Sequence, residues 1–359
     1  MRKFRRKAVF MCLFAMAMMV ICPCGVSANT PQLDNGVRIV ETAGMNGYYS
    51  YDAITEEETF IPAEQYAPLN LGEEKITPQV VGDPSVLDNE YTEFHENGGT
   101  SAMAMGEELI TPFAIIGTDD RRSVSSATGQ YANTCLIVAR YPDNAKAYGT
   151  GFTLDDYHVL TAGHLAYDPV HGYADHFAVY AGSNAGTYKK YSLAYRWDVG
   201  GDYVNNASGS AYESRGMYDD WAILECDTAL GVGHLGKIAT NSADSMMDYT
   251  YDTQGYPFDK NVAEFGPNPN LDNLVQYRMY TTSGRIYGDM YGPTRSARYL
   301  DVVAMNLDAT QGQSGSPIYR YVSGSGYCAQ AMIVAGKDSL QQNYAILIND
   351  WLYSVIQGL

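Results

Sequence analysis

GFTLDDYHVLTAGH, at residues 151–164, contains two short apolar runs on either side of acidic turn residues. Residues 151–154 and 158–161 have the length and composition of β-strands, and the acidic pair at 155–156 is typical of a tight hairpin turn. The second run leads through small residues to His164. Because small side chains let such a turn pack closely beneath an imidazole ring, the stretch predicts a β-hairpin that presents a histidine at its end.

Similar strand-like runs recur from about residue 114 to the end of the chain. They lie at 134–139, 177–180, 221–224, 302–305, 317–319, 331–334 and 344–348. A composition with 31 tyrosines and 35 glycines also favours strands and tight turns. Apolar residues at 351, 352, 355 and 356 have helical spacing. The sequence therefore predicts an all-β domain of antiparallel strands that ends in a helix at about 349–358.

The first 113 residues differ in texture from this domain. Residues 1–28 combine a basic start, an apolar run at 8–21 and small residues at 26–28, which predicts a signal peptide. The apolar run is shorter than the ~20 residues of a membrane span, so we expect a secreted, extracellular protein with no stable membrane anchor after cleavage. Residues 29–113 are acidic, with Arg38 and Lys75 as their basic residues. We interpret them as a pro-segment; a disordered spacer or a small separate domain are the alternatives.

The overall charge and the cysteines limit the classes of partner. The 359-residue chain has a formal net charge of −18, so it lacks the basic surface that nucleic-acid binding requires. Cys135, Cys226 and Cys328 remain after removal of the signal peptide, and their odd number allows at most one internal disulfide. Their spacing fits no metal motif, and no acidic run has EF-hand spacing. We therefore expect no metal, no other cofactor and no nucleic-acid partner.

Two further stretches complete a possible reactive site. Residues 218–224 read YDDWAIL and place Asp220 directly before an apolar strand, with Asp219 as its rival. Residues 310–317 read TQGQSGSP, and glycines on both sides of Ser314 allow several backbone N–H groups to point at one spot. A serine nucleophile needs a base, a carboxylate that orients the base, and donors for the developing oxyanion. The chain supplies these groups as His164, Asp220 and Ser314, with the amides of Gly312 and Ser314 as the donors.

The three stretches together resemble the triad motifs of chymotrypsin-fold serine proteases. Residues 116–121 and 255–257 resemble segments of the bacterial glutamyl endopeptidase, or V8-like, branch of that family. The resemblance implies two six-stranded antiparallel β-barrels, an N-barrel at about 114–235 and a C-barrel at about 236–345, within a protease domain at 114–359. It also implies that His164 is the base, Asp220 orients it, and Ser314 attacks the scissile carbonyl of a protein or peptide substrate.

Activation in this chain is expected to differ from that of trypsin. In the trypsin branch, an aspartate just before the nucleophile pairs with the new N-terminus. Here that position is Gln313, which has no charge. We expect a zymogen that is released by removal of the pro-segment near Phe113-Ala114, and a monomeric enzyme.

The specificity pocket implied by the resemblance leaves the P1 preference open between Glu, Arg or Lys, and small apolar residues. The strand at 332–336 lacks the histidine that glutamyl endopeptidases carry there, whereas Asp308 resembles the aspartate that selects Arg or Lys in trypsin-like enzymes. The predicted pocket residues are Asp308, Ala309, Val334, Gly336 and Tyr344. A secreted binding or surface protein built on an inactive protease fold is the alternative function.

Overall fold

The computed structural model describes residues 47–62, 113–208, 212, 216–266, 274–289, 302–337 and 340–359. The predicted signal peptide lies outside these residues, as does the predicted pro-segment apart from 47–62 and Phe113. In the described part of the chain, no helix has both the length and the apolar character needed to cross a bilayer.

Strands dominate the described residues. In chain order they are β1 (Gly47–Asp52), β2 (Glu57–Pro62), β3 (Arg122–Ser123), β4 (Thr134–Arg140), β5 (Lys146–Thr153), β6 (His158–Thr161), β7 (Tyr167–Asp168), β8 (Gly172–Tyr173), β9 (His176–Ala181), β10 (Lys190–Gly200), β11 (Ala222–Cys226), β12 (Gly236–Lys237), β13 (Tyr251–Gly255), β14 (Tyr280–Gly284), β15 (Ile286–Asp289), β16 (Val302–Met305), β17 (Pro317–Val322), β18 (Gly326–Lys337) and β19 (Gln342–Leu347). The α-helices are α1 (Gly163–Ala166), α2 (Gly201–Asn205), α3 (Phe258–Phe265) and α4 (Asp350–Gln357). The all-β class and the C-terminal helix are confirmed.

The first sheet closes into a barrel. Its strands follow the order β11-β6-β5-β4-β9-β10-β1-β2, and β10 also pairs with β11. Every edge within this ring has a partner, so six strands form a closed antiparallel barrel, as the resemblance implied. They are β4, β5, β6, β9, β10 and β11. The hairpin turn between β5 and β6 has the predicted chemistry: Asp155 Oδ1 accepts the amides of Tyr157 at 2.7 Å and His158 at 2.8 Å.

The second sheet is a half-barrel that follows the order β15-β16-β19-β18-β17-β13-β14-β3, with β12 beside β18. Its central strands are buried on both faces. Val302 and Met332 pack into the cluster that also fills the first barrel, whereas their neighbours Val303 and Ile333 pack into a separate cluster. Successive side chains of a strand point to opposite faces, so a strand buried on both faces reads as a continuous apolar run. This is why 302–305 and 331–334 could be recognised as strands.

The C-terminal helix packs against the shared core. Asn349 caps α4, and its Oδ1 accepts the amide of Leu352 at 2.8 Å. Leu352, Val355 and Ile356 are buried in the cluster that fills the first barrel. Each side chain of this size contributes about 2 kcal/mol of transfer free energy when it is removed from water.

Two segments pair with strands that the sequence did not indicate. β1 and β2 belong to the predicted pro-segment, but β1 pairs with β10 and extends the first sheet. β3 lies within the predicted N-barrel range, but it pairs with β14 of the second sheet, with Ser123 opposite Tyr280. Strand partners depend on which backbone edges are open in the folded chain, and a local sequence pattern does not contain that information.

The described cysteines are free thiols. Cys135, Cys226 and Cys328 are all buried and none of them forms a disulfide. Burial raises the pKa of Cys135, and it raises the pKa of Cys226 to about 12. These side chains therefore act as small apolar core residues.

Candidate active site

His164 is the second residue of α1, three residues after the end of β6. Its amide donates to Asp220 Oδ1 at 2.8 Å, and its Nδ1 lies 2.8 Å from Asp220 Oδ2. The glycine before it is required by close packing, since a Cβ at Gly163 would stand 3.0 Å from both Asp220 Oδ1 and the Trp221 amide nitrogen. The small residues noted in the sequence therefore allow the histidine backbone to reach the aspartate.

Asp220 is buried and fully engaged. Its side chain has no exposed surface, and it accepts hydrogen bonds from the His164 amide and from His164 Nδ1. A third donor is the hydroxyl of Tyr212, 2.6 Å from Asp220 Oδ2. Sequence reasoning missed Tyr212, because nothing in its neighbourhood separates it from the other 30 tyrosines of the chain. A buried carboxylate with three donors is held in one orientation.

The neighbouring Asp219 has a different role. Its Oδ1 accepts the indole N–H of Trp221 at 2.6 Å, and its Oδ2 accepts the amide of Asp202 at 2.9 Å. Of the two candidate aspartates, Asp220 is therefore the one that contacts His164, while Asp219 joins the start of α2 to the start of β11.

The aspartate changes the acid–base behaviour of His164. Burial alone would lower the pKa of the imidazole, but the charge of Asp220 and its hydrogen bond to Nδ1 outweigh burial and raise the pKa above 6.5. The imidazole keeps 23% of its side-chain surface exposed, so it remains accessible to solvent. Because a carboxylate can only accept, the Nδ1 proton is fixed by Asp220 and Nε2 is left to act as a base.

Ser314 lies in the loop between β16 and β17, against the first barrel. Its carbonyl accepts the amide of Thr150 in β5 at 2.8 Å. Gly315 has φ +88°, and a Cβ there would collide with Thr150 O. A Cβ added at Gly149 of β5 would stand 3.0 Å from Ser314 O and 2.6 Å from Leu165 Cδ1, so both groups lie close to the Gly149 backbone. The loop therefore meets the first barrel beside the residue that follows His164.

The hydroxyl of Ser314 is less firmly fixed than its backbone. Ser314 is 6% exposed, and in the described ranges no hydrogen bond joins its Oγ to His164. The structure thus brings His164 and Asp220 into direct contact and brings the backbone of Ser314 to the same region.

The amides of the loop that carries Ser314 differ in their hydrogen bonding. Gln313 N–H donates to Thr310 O at 3.1 Å. By contrast, the amides of Gly312 and Ser314 on either side of it donate to no other group of the described chain. Two unused amide donors, one on each side of an engaged one, suit the stabilisation of a developing oxyanion.

A buried arginine supports this loop, and sequence reasoning missed it. The Arg121 side chain has no exposed surface and is paired with Asp119 at 2.9 Å and with Asp259. Its Nη1 also donates to Thr310 Oγ1 at 2.9 Å and to Gln313 Oε1 at 3.5 Å. Burial would lower the pKa of the guanidinium, but the two carboxylates outweigh burial and raise it. The arginine therefore remains charged next to the loop that carries Ser314.

The predicted pocket residues separate into two groups. Asp308 is buried, and its carboxylate accepts the amides of Ile116 at 2.7 Å and Asp120 at 3.2 Å. Ala309 N–H donates to Ala114 O at 3.4 Å, and a Cβ at Gly336 would stand 2.6 Å from Phe113 Cα. These three residues thus surround residues 113–120.

The other two pocket residues lie in the core. Val334 and Tyr344 pack into the cluster that fills the first barrel. Asn343, next to Tyr344, was missed: its side-chain oxygen accepts the amide of Ala114 at 2.8 Å, and its nitrogen donates to Ala114 O at 2.8 Å. Within the described ranges, no group of three or more His, Cys, Asp or Glu side chains is arranged to hold a metal ion.

A closed six-stranded barrel, a half-barrel and a C-terminal helix define the chymotrypsin fold. Comparison with solved structures agrees: a Glu endopeptidase solved in complex with MPD matches with a TM-score of 0.51 and 19% identity, over 68% of this chain and 98% of its own. Protease Anisep from Arthrobacter nicotinovorans matches with a TM-score of 0.49 and 16% identity, over 67% of this chain and all of its own.

One curated protein gives a sequence match. The "Extracellular metalloprotease" of Bacillus subtilis strain 168 is 28% identical over 248 residues, which cover 67% of this chain and 69% of that protein. No family model matches the chain. The chain thus shares the fold of a solved Glu endopeptidase, a serine protease of the chymotrypsin type.

Proposed function

We propose that this protein is a secreted serine endopeptidase that hydrolyses peptide bonds through an acyl-enzyme, with His164, Asp220 and Ser314 as its triad. The observation that carries the proposal is the contact between His164 and the buried Asp220, at 2.8 Å from both the amide and Nδ1. A structural histidine does not need a buried carboxylate aligned with its ring and its own backbone, whereas a general base does.

The reaction follows from the positions of the protons. Ser314 Oγ attacks the scissile carbonyl and gives its proton to His164 Nε2, while Nδ1–H stays hydrogen-bonded to Asp220. The imidazolium then donates the proton to the leaving amine and the acyl-enzyme forms. Water enters, gives a proton to Nε2 and attacks the ester. The imidazolium then returns a proton to Ser314 Oγ as the acid product leaves, which restores the free enzyme. Asp220 stabilises the imidazolium in both halves of the cycle.

The oxyanion of each tetrahedral intermediate is bound by the amides of Gly312 and Ser314. Their lack of another acceptor in the described chain supports this role. Donors that are already oriented need no reorganisation when the charge develops, and losing one such donor typically costs about 10²–10³ in kcat.

Secretion and activation belong to the same proposal. The Bacillus subtilis relative is described as extracellular, which supports export of this chain by residues 1–28. Cleavage near Phe113-Ala114 gives the mature enzyme. Mass spectrometry of the secreted protein should find a catalytic chain that begins near Ala114; a chain that still begins near Asn29 in fully active material would contradict zymogen activation.

The P1 preference does not include Arg or Lys. The carboxylate that would receive such a side chain is Asp308, which is 2% exposed and already accepts two backbone amides. To reach this carboxylate, the side chain of a P1 Arg or Lys would have to break both hydrogen bonds. It would also have to leave water without gaining any partner other than Asp308. A mixed peptide library should therefore show cleavage after Glu or small apolar residues, and dominant cleavage after Arg or Lys would refute this part.

A fluorophosphonate probe tests the nucleophile. The processed wild-type protein should be labelled once, and Ser314→Ala should abolish the label together with peptidase activity. Ser323→Ala, at an exposed serine in the turn between β17 and β18, is the matched control and should be labelled like the wild type. Unlabelled but correctly folded and processed protein would favour a binding protein on an inactive protease fold.

The name of the Bacillus subtilis relative suggests a second candidate, a metal-dependent protease. The two candidates give opposite results in one assay. A serine protease loses activity with the fluorophosphonate and keeps it with a chelator, whereas a metal-dependent enzyme does the reverse.

A further inference from the structure

The hairpin formed by β1 and β2 lies within the segment that processing would remove, but it is built into the first sheet. β10 is longer than its neighbour β9, which covers it only from Lys190 to Ala194. β1 pairs with the remaining part, from Tyr48 opposite Gly200 to Asp52 opposite Arg196. Ala53 N–H also donates to Tyr195 O at 2.8 Å. The hairpin thus covers a backbone edge that β9 leaves open.

Aromatic side chains reinforce this pairing. Tyr48 is 4% exposed, and its ring centroid lies 6.0 Å from that of Trp221, the residue after Asp220, and 6.4 Å from that of Trp351 in α4. Tyr51 stacks on Tyr173 at 4.4 Å and lies 5.2 Å from Trp197. Large aromatic side chains buried at a contact contribute more to affinity than other residue types do.

The backbone of the barrel is also shaped to receive the hairpin. A Cβ at Gly201 would stand 2.6 Å from the carbonyl oxygen of Gly47, so a larger residue could not occupy that position without moving β1. At the other end of the contact, Arg196 Nε donates to Asp52 Oδ2 at 2.8 Å. Close backbone approach, aromatic burial and an ion pair occur together along one short strand.

We infer that the hairpin of residues 47–62 stays bound to β10 after the chain is cut near Phe113-Ala114, as a non-covalent second chain of the mature protein. This inference rests on the processing step of the proposed function. The partner of the open edge is a segment of this same chain, which binds by strand addition. Because α2 and Tyr212 follow β10 and lead to Asp220, the bound hairpin also supports the loop that carries the aspartate.

The test separates this inference from the catalytic proposal. In full-length Ser314→Ala, a recognition sequence for a site-specific protease is placed between residues 63 and 112, and the purified protein is cut there. Native mass spectrometry and size-exclusion chromatography then follow the fragment that contains the hairpin. We expect it to remain with the catalytic domain at micromolar concentration and to be released by denaturant. Release without denaturant would overturn the inference, whatever the fluorophosphonate assay shows.

Two further variants test the contact itself. Tyr48→Ala should weaken retention of the fragment by at least about tenfold, because it removes a buried ring that packs beside Trp221 and Trp351. Ile54→Ala removes an apolar side chain in the hairpin turn that is 68% exposed, and it should leave retention unchanged. Equal retention of the fragment in Tyr48→Ala and in wild type would contradict the assigned contact.

Discussion

The two halves of the candidate site are held in different ways. In the first half, which consists of His164, Asp220 and Tyr212, the members contact one another directly through hydrogen bonds of 2.6 to 2.8 Å. In the second half, the position of Ser314 is set by the loop between β16 and β17. Arg121, which directly precedes β3, holds this loop through a hydrogen bond to Gln313. In the proposed mechanism, the first half sets the acid–base behaviour of His164, and the second half sets the geometry of attack by Ser314. Substitutions in the two halves should differ in their effect on the pH profile.

Asp220→Asn should have the largest effect. An amide in place of the carboxylate no longer favours the proton on Nδ1, so His164 loses the tautomer that leaves Nε2 free. Peptidase activity should fall about 10⁴-fold with the fold intact. Steady-state kinetics with circular dichroism as the folding check measures this.

Asp219→Asn is the matched control for that substitution. Its carboxylate accepts the Trp221 indole and the Asp202 amide rather than His164, so activity should fall less than about tenfold. If the two substitutions exchanged their effects, the assignment of the orienting aspartate would be wrong.

Arg121→Met should lower kcat about 10- to 100-fold, because it removes a buried charge that holds Thr310 and Gln313 beside the nucleophile. The pH at which activity is half-maximal should stay the same, since His164 and Asp220 are untouched. Stopped-flow acylation across the pH range measures both quantities. Arg121→Lys keeps the charge without the planar fork of donors and should give an intermediate rate.

Lys260→Met serves as the control for the arginine. Lys260 forms a partly exposed ion pair with the same Asp119 at 2.8 Å, and its loss should change kcat by less than about twofold. A shifted pH profile in Arg121→Met would mean that the two halves are not separable.

The pH profile of the wild type should have an acidic limb centred above 6.5. Only the neutral imidazole accepts the Ser314 proton, and Asp220 raises the pKa of His164, so protonation already begins above the ordinary value. Below the limb, kcat/KM should fall about tenfold per pH unit. A limb centred below 6.5 would contradict the contribution of Asp220.

Tyr212→Phe should have the smallest effect, about a fivefold loss of kcat, since Asp220 keeps its two donors from His164. With one donor fewer, the carboxylate attracts the imidazolium more strongly, so the acidic limb should move to higher pH. Tyr203→Phe removes a hydroxyl that donates to Tyr167 O at 2.7 Å and not to Asp220. The limb should therefore stay in place in that control.

The same division explains what the sequence could predict. β6 and β16 have the predicted bounds, and His164, Asp220 and Ser314 stand in short stretches whose neighbours carry a local signal. Arg121 could not be found in this way, because its partners at 259, 310 and 313 are far away along the chain.

The hairpin was missed for a related reason. Its partner strand β10 begins at Lys190, 138 residues after β1 ends at Asp52, and strand pairing over such a separation leaves no local pattern. The position of Asp308 suggested a pocket for a basic side chain, and nothing in the sequence indicated that its carboxylate accepts the amides of Ile116 and Asp120.

The buried thiols can report the order in which parts of this protein unfold. Alkylating reagents attack the thiolate, and burial keeps Cys135 and Cys226 protonated and out of reach in the folded state. Cys135 lies in β4 of the barrel and Cys328 in β18 of the half-barrel. The order in which Cys135 and Cys328 become alkylated under mild denaturant therefore reports whether the barrel or the half-barrel unfolds first, without any engineered label.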